Sequence, residues 1–267
     1  MEHTYWHKQS PGQPLFPDLL WSRPENKAQA GKLLIIGGNL HGFSAPARAY
    51  MVAQKAGSGT TRILLPDAIK KTVVSLVEDG EFAPSTPSGS FSQKALDEWL
   101  NQATWADGVL VSGDLGHNSE TAIVLEKFLT KYIGQVTITK EGIDYLTTNL
   151  EPLQNRVNTT LVLSLSQLQR LLTALKSQQA VSLSMPLLQF VDLLHQLTTK
   201  YQFSIITKHH GQLIVASDGH ISTTATHHDE SLWCIDTAAR AAVWWLQNPT
   251  KTFEALTTAV YEPLSGS

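Results

Sequence analysis

The stretch KLLIIGGNLHGFSAPARAYMVAQKAGSGTTRILLP, Lys32–Pro66, reads as one strand–loop–helix–strand unit. Leu33–Ile36 is a short apolar run closed by Gly37 and Gly38, as expected of a strand covered on both faces. Gly37, Gly38 and Gly42 permit turns that a side chain would forbid. Ser44 is placed to cap the next helix, and Pro46 falls in its first turn. Ala47, Val52, Ala53 and Ala56 give that helix a small-residue face that can lie close to a sheet. Gly57 and Gly59 end it, and Thr61–Leu65 is the next strand. A glycine loop feeding a helix amino end offers free N–H groups and partial positive charge, so the unit can act as an anion or cofactor cradle. It contains neither a strict GxGxxG nor a P-loop lysine, and a plain βαβ turn accounts for it too.

The same alternation runs through the chain. Met1–Gln29 carries Pro11, Pro14, Pro17 and Pro24 and is expected to be an irregular arm packed through Phe16 and Trp21. A helix is expected from Asp67 to Leu76, a surface loop over Glu81–Ser92, and a helix over Gln93–Thr104 with Leu96, Trp99 and Leu100 on one face. Gly108–Ser112 reads as a strand, Ser119 as the cap of a helix reaching Tyr132, and Gln135–Thr139 and Thr160–Leu163 as strands. Helices follow over Ser166–Lys176 and from Pro186 to Tyr201, then a strand over Phe203–Thr207. Gln212–Ala216 and His220–Thr224 flank Asp218-Gly219, a hairpin signal. Helices over Asp236–Gln247 and Thr252–Val260 close the chain.

Strands alternating with helices predict an α/β fold, a three-layer α/β/α domain with a mostly parallel central sheet and a late antiparallel hairpin. No linker divides residues 30–267, which read as one domain behind the arm of residues 1–29. Ligands of such sheets sit outside the carboxyl ends of the strands. That brings together Gly37–Ser44, Gly113–Asn118, the turn at Ser164–Ser166 and the segment before Asp236.

The totals narrow the class. The chain has 267 residues, 42% hydrophobic and 16% charged, with a net charge of -3. That balance gives no reason to expect nucleic acid or an anionic membrane as partner. One cysteine, Cys234, excludes an internal disulfide framework and fits a reducing compartment. No apolar run approaches a membrane span, and the first residues lack a signal-peptide pattern, so the expected location is the cytoplasm. His209-His210 and His227-His228-Asp229-Glu230 lack the helical spacing of metal ligands, and no metal site is expected. Cys234, beside Trp233 and Ile235, reads as buried filler rather than as a nucleophile. Trp244-Trp245 reads as core plus one exposed face, and an exposed tryptophan there would suit a homo-oligomer interface.

From about Lys27 to Tyr261 the order of motifs resembles the ribokinase-like superfamily, and within it the ADP/ATP-dependent NAD(P)H-hydrate dehydratases. Lys27 through Gly59 matches the family's opening run. Ser112-Gly113-Asp114-Leu115-Gly116 stands where the family has G-P-G-L-G. Ile206-Thr207-Lys208 resembles its L-K-G strand, and Asp236 with Thr252-Phe253-Glu254-Ala255 resembles its closing G-x-G-D helix and P-F-E-A successor. The resemblance implies repair of hydrated NADH or NADPH, with ATP or ADP and Mg as cofactors and a small-molecule nucleotide as partner. It makes Asp236 the general base. It places Ala45, Gly116, Ser164 and Asp236 on the substrate, and Lys208 and Ile235 on the nucleotide.

This chain departs from that pattern at several of its chemical positions. Leu232-Trp233-Cys234-Ile235 replaces the glycine-rich turn before the aspartate, Ser164 replaces a histidine, Gln167 a glutamate, and Asp114 an inner glycine. Thr139-Lys140-Glu141 replaces a D-A-D run, and His209 follows the lysine where the family has glycine. Bulk at Trp233 and Ile235 is expected to strain a turn built for glycine, at about 1–3 kcal/mol per position. Asp114 is expected to put negative charge where polyphosphate would lie. Asp236 also reads as the cap of a helix starting at Thr237. Two classes follow: a nucleotide-dependent dehydratase, weakened or inactive, and a non-catalytic pseudoenzyme of the same fold that binds a nucleotide or small metabolite. A carbohydrate-type kinase is a third reading, needing the same phosphate hole.

Overall fold

The computed structural model describes residues 4–73, 80–154, 156–225 and 233–265. In chain order the elements are β1 (Trp6–Gln9), α1 (Pro17–Trp21), β2 (Lys32–Gly37), α2 (Ser44–Lys55), β3 (Thr60–Pro66), α3 (Lys70–Val73), β4 (Gly80–Ala83), α4 (Leu96–Trp105), β5 (Gly108–Gly113), α5 (Ser119–Lys131) and β6 (Gln135–Thr139). There follow α6 (Glu141–Leu146), α7 (Glu151–Gln154), β7 (Thr159–Val162), α8 (Leu165–Ala174), α9 (Leu187–Lys200), β8 (Ser204–His209), β9 (Gln212–Ser217), β10 (His220–Ala225), α10 (Trp233–Gln247) and α11 (Thr252–Ser265).

The strands form one sheet of ten, in the order β1-β10-β9-β8-β7-β6-β5-β2-β3-β4. From β4 across to β8 every neighbouring pair is parallel; β8–β9 and β9–β10 are antiparallel. The hairpin turns at Asp218 and Gly219, with φ of 49° and 75°, the geometry that an Asp-Gly pair accepts.

Burial follows the period of the strand. Leu34 and Ile36 point into one core, with Trp99, Phe128 and Phe190; Leu33 and Ile35 point into the other, with Trp244, Trp245 and Ala49. Helices α4, α5, α8 and α9 cover the first face, and α2, α10 and α11 the second. Alanines at 45, 49 and 53 let α2 lie against β2 and β3. Chain order in the sheet reverses between β2 and β5, so the loops after these two strands flank the switch point.

Several expectations need correction. The arm is not irregular throughout: Trp6–Gln9 pairs in parallel with β10, Trp6 opposite Ile221. Its side chains find partners across the sheet. Gln9 Nε2 donates to Thr224 Oγ1 and the Thr257 carbonyl, and Tyr5 hydroxyl donates to Asp192 Oδ1 at 2.5 Å. Glu81–Ser92 is not a surface loop, because Gly80–Ala83 is an edge strand and Phe91 is fully buried against Trp99. Asn118, not Ser119, caps α5, accepting from the Glu120 and Thr121 amides. Trp244 and Trp245 are both buried, so neither offers an exposed face. Trp21 is the exposed tryptophan instead, at 88%. The rest of the helix expected to reach Leu76, together with His227-His228-Asp229-Glu230, lies outside the described residues. Among the described residues, no helix is long and apolar enough to cross a membrane.

The Tyr5 bond makes a pH prediction. The hydrogen bond to Asp192, then burial, raises the Tyr5 phenol to about 12 from 10.0. A folded-state pKa above the unfolded one contributes stability fully below pH about 10 and loses it as pH rises towards 12. The ultraviolet difference titration, wild type minus Tyr5→Phe, is expected to show a phenol with its midpoint near 12; a midpoint at 10 would contradict the Tyr5–Asp192 bond.

Candidate active site at the switch point

Strand β2 ends at Gly37 and β5 at Gly113, side by side. The Gly38 amide, at φ 84°, donates to the Gly113 carbonyl at 3.0 Å. A Cβ on Gly37 would stand 2.6 Å from that same carbonyl oxygen, so the close approach of the two strand ends requires glycine there.

Asp114 follows at φ 55°, a left-handed conformation that aspartate tolerates. Its carboxylate turns onto the amino end of α2, accepting from the Ala45 amide at 2.7 Å and from Ser44 Oγ at 3.1 Å. The cap expected from Ser44 therefore comes from the neighbouring loop. Phe43 is the residue before the helix, with no side-chain cap of its own, and Ser44 already lies inside α2. The Asp114 amide donates to Glu141 Oε2 at 2.9 Å, and Asn39 Nδ2 donates to the Asp114 carbonyl at 2.6 Å. The loops after β2, β5 and β6 are thus locked together through one residue. Replacing Asp114 by alanine is expected to cost about 1 kcal/mol in urea unfolding, the usual value of a helix cap, while asparagine keeps most of it. An unchanged midpoint in the alanine variant would remove Asp114 from that role.

Asp236 lies in the first turn of α10, which begins at Trp233, so it does not cap a helix starting at Thr237. It is 5% exposed, and its carboxylate is held on both oxygens by Arg48 of α2: Nε to Oδ1 at 2.8 Å and Nη2 to Oδ2 at 2.6 Å. Arg48 stands one helical turn beyond Ser44, on the element that Asp114 caps. The pair borders a groove of about 290 Å³ between α2 and α10, with Met51, Lys55 and Arg240. Trp233, Cys234 and Ile235 are helical, and none has a positive φ, so the strain expected at Trp233 and Ile235 is absent. Ile235 is 3% exposed within the core beneath α2 and α10. Cys234 is buried as well, and burial pushes its thiol up to about 12 against the smaller opposing pull of Lys140 and Thr139, which suits packing and not nucleophilic attack.

The other named residues are dispersed. Gly116 has φ 70°, its carbonyl accepts from the Tyr145 hydroxyl, and a Cβ would meet Ser90 Oγ at 2.7 Å. Ser164 caps α8 in a capping box with Gln167, whose amide also donates to the Lys140 carbonyl and Asp144 Oδ1. Lys208 sits on β8 opposite Leu213, three strands from β5, roughly 14 Å away at sheet spacing. Ala45 and Gly116 therefore share the switch point with Asp114, and Asp236 reaches it through Arg48. Ser164 and Lys208 stand on the neighbouring β7–β8 side. Sequence reasoning missed Arg48, visible as the lone charge in the first two turns of an alanine-rich helix, and it noted Glu141 only as part of the run replacing D-A-D, without its bond to Asp114.

The amino end of α2 does not fit a polyphosphate. The Asp114 carboxylate already occupies the helix end where an anion would be held, Glu141 adds a second carboxylate beside it, and Arg48 is committed to Asp236.

The search among solved structures finds this layout in other proteins. A ribokinase-like superfamily protein from Enterococcus faecalis superposes with a TM-score of 0.72 over 98% of this chain and 87% of its own, at 16% identity. The fold is ribokinase-like. The ADP/ATP-dependent NAD(P)H-hydrate dehydratase of Bacillus subtilis, co-crystallised with ATP and Mg2+, shares it with a TM-score of 0.63 over 93% of this chain and 86% of its own, at 12% identity. In sequence, this chain is 32% identical over 125 residues to the bifunctional NAD(P)H-hydrate repair enzyme Nnr of Methanocaldococcus jannaschii. It is 32% identical over 97 residues to that of Methanothermobacter thermautotrophicus. The matched segments cover 46% and 36% of this chain, and only 24% and 18% of those relatives. No protein-family model matches the chain. Both comparisons agree with the resemblance read from the motifs.

Proposed function

We propose that this chain is a NAD(P)H-hydrate dehydratase-like protein in which the dehydration chemistry has lapsed, a non-catalytic relative that keeps the scaffold. The observation that carries this reading is the Asp114 carboxylate seated on the amino end of α2 at the switch point. Phosphorylation of a substrate hydroxyl needs an anion hole for the transferred group and a base free to take the proton. Here the amino end of α2 at the switch point is filled from within the chain, and both oxygens of the candidate base are hydrogen-bonded to a guanidinium. A carbohydrate-type kinase needs the same hole and is disfavoured by the same contacts. Ala45, Gly116 and Ser164 remain the positions that would face a hydrated dinucleotide, and Lys208 and Ile235 those that would face ATP or ADP.

The test is a thermal shift with ATP and ADP, with and without magnesium, followed by turnover of hydrated NADPH. A ligand at about a hundred times its dissociation constant adds about 2.7 kcal/mol of stability. The expected result is no shift at millimolar nucleotide and no turnover. Turnover that disappears in Asp236→Asn would overturn the reading and restore the enzyme.

A further inference from the structure

A second concavity opens at the opposite, amino-terminal end of the parallel strands. It is a cleft of about 910 Å³ walled by the N-terminal arm, the end of α9, the β9–β10 turn and the start of α11. That volume is within the range of small-molecule sites, roughly 300–1,000 Å³.

The hydroxyls at the back of the cleft are spent within the protein. Ser204 and Ser217 bond to each other at 2.7 Å, Thr198 donates to the Leu194 carbonyl, and Thr159 accepts from Arg156. The groups nearer its mouth are unspent. Among the described residues, the side chains of His7, Gln202, Asp218, His220 and Glu254 make no hydrogen bond or ion pair. Aromatic surface stands beside them: Phe253 lies 5.5 Å from the His220 ring, 5.9 Å from that of His7 and 5.9 Å from Phe16.

The charge of the lining selects against anions. Among the described residues lining the cleft, Asp218 and Glu254 are accompanied by one ammonium, that of Lys200, and burial, then His220, lowers the pKa of His7 and favours its neutral form. Two carboxylates that only accept, amide and imidazole groups that do both, and a flat apolar ring form a set suited to a compound with adjacent hydroxyls and one apolar face.

We propose that this cleft binds a neutral polyhydroxylated ring, a nucleoside or a free sugar, with its apolar face on Phe253 and its hydroxyls on Asp218 and Glu254. The site is separate from the switch point and does not depend on the lapsed-enzyme reading.

Calorimetric titration of the full chain with adenosine, ribose, glucose and AMP tests it. Binding of adenosine marks a nucleoside site, and binding of ribose or glucose without adenosine marks a sugar site. In either case Asp218→Asn and Glu254→Gln are each expected to weaken affinity about tenfold, the value of one charged hydrogen bond. In a nucleoside site, AMP is expected to bind at least about tenfold more weakly than adenosine. Circular dichroism checks that the variants fold, and the bound ligand should shift the His220 ring resonances in the wild type. No binding of adenosine, ribose or glucose at millimolar concentration overturns the proposal. So does binding that both variants leave unchanged, or AMP binding more tightly than adenosine.

Discussion

Arg156→Met is expected to destabilise the protein by about 3–5 kcal/mol, because several buried acceptors lose their donor and each such loss costs about 1–3 kcal/mol. Arg156 is 8% exposed, and among the described residues no carboxylate pairs with it. Its guanidinium donates instead to carbonyls at the end of α5 and in the turns on either side: those of Leu129, Tyr132, Gly134, Val157 and Asn158, at 2.7–3.2 Å, and also to Thr159 Oγ1 at 2.6 Å. Burial lowers its pKa to about 10, which leaves it charged at neutral pH. One planar fork thus satisfies acceptors at the end of α5 and before β6 and β7, of which the Asn158 carbonyl also accepts from the Val136 amide. A methionine of similar length fills the space and bonds none of them. In a thermal melt the loss corresponds to roughly 6–20 °C for a domain of this size. Lysine keeps the charge but not the fork, and should fall between the two. A methionine variant that melts within about 2 °C of the wild type would show that water replaces the guanidinium without loss.

Gly37→Ala is expected to cost about 2–3 kcal/mol, at the upper end of overpacking. The new Cβ would stand 2.6 Å from the Gly113 carbonyl oxygen and 2.6 Å from Ser112 Oγ, where β2 and β5 part. The Ser112 hydroxyl can rotate away, whereas the carbonyl belongs to a central strand and accepts from Gly38. Relief requires the two strand ends to separate, which pulls Asp114 off the amino end of α2. The readout is a lowered urea midpoint together with faster hydrogen exchange at the Ala45 amide, the donor to Asp114. Normal protection at Ala45 in a destabilised variant would separate the clash from the cap.

The layer order was readable from Leu33–Ile36 and the alternation after it, because burial on both faces leaves an unbroken apolar run. The hairpin was readable because Asp218-Gly219 carries its own turn chemistry. The contacts that define the candidate site were less legible. Ser44 has the composition of a cap, but the carboxylate that caps α2 comes from Asp114, 69 residues away from the Ala45 amide it accepts from. Asp236 had the setting of a cap too, until Cys234 and Ile235 proved able to bury themselves one turn earlier and extend α10 backwards. The arm was judged by its prolines, yet none of them falls in Trp6–Gln9, and the partner of that strand lies more than 200 residues away. Local composition reports the backbone's preferences, and it is silent about which distant group will satisfy them.

The pairing of β1 with β10 also fixes an order of events during synthesis. Trp6 leaves the ribosome long before Ile221 exists, so the opening segment has no sheet position to occupy until most of the chain has emerged. The other parallel pairings join strands much closer in sequence and can assemble earlier. Docking of the arm is therefore the late step that seals the margin of β10. A nascent chain halted before that strand would carry Trp6 and Gln9 without their partners Thr223 and Thr224, open to proteases and chaperones.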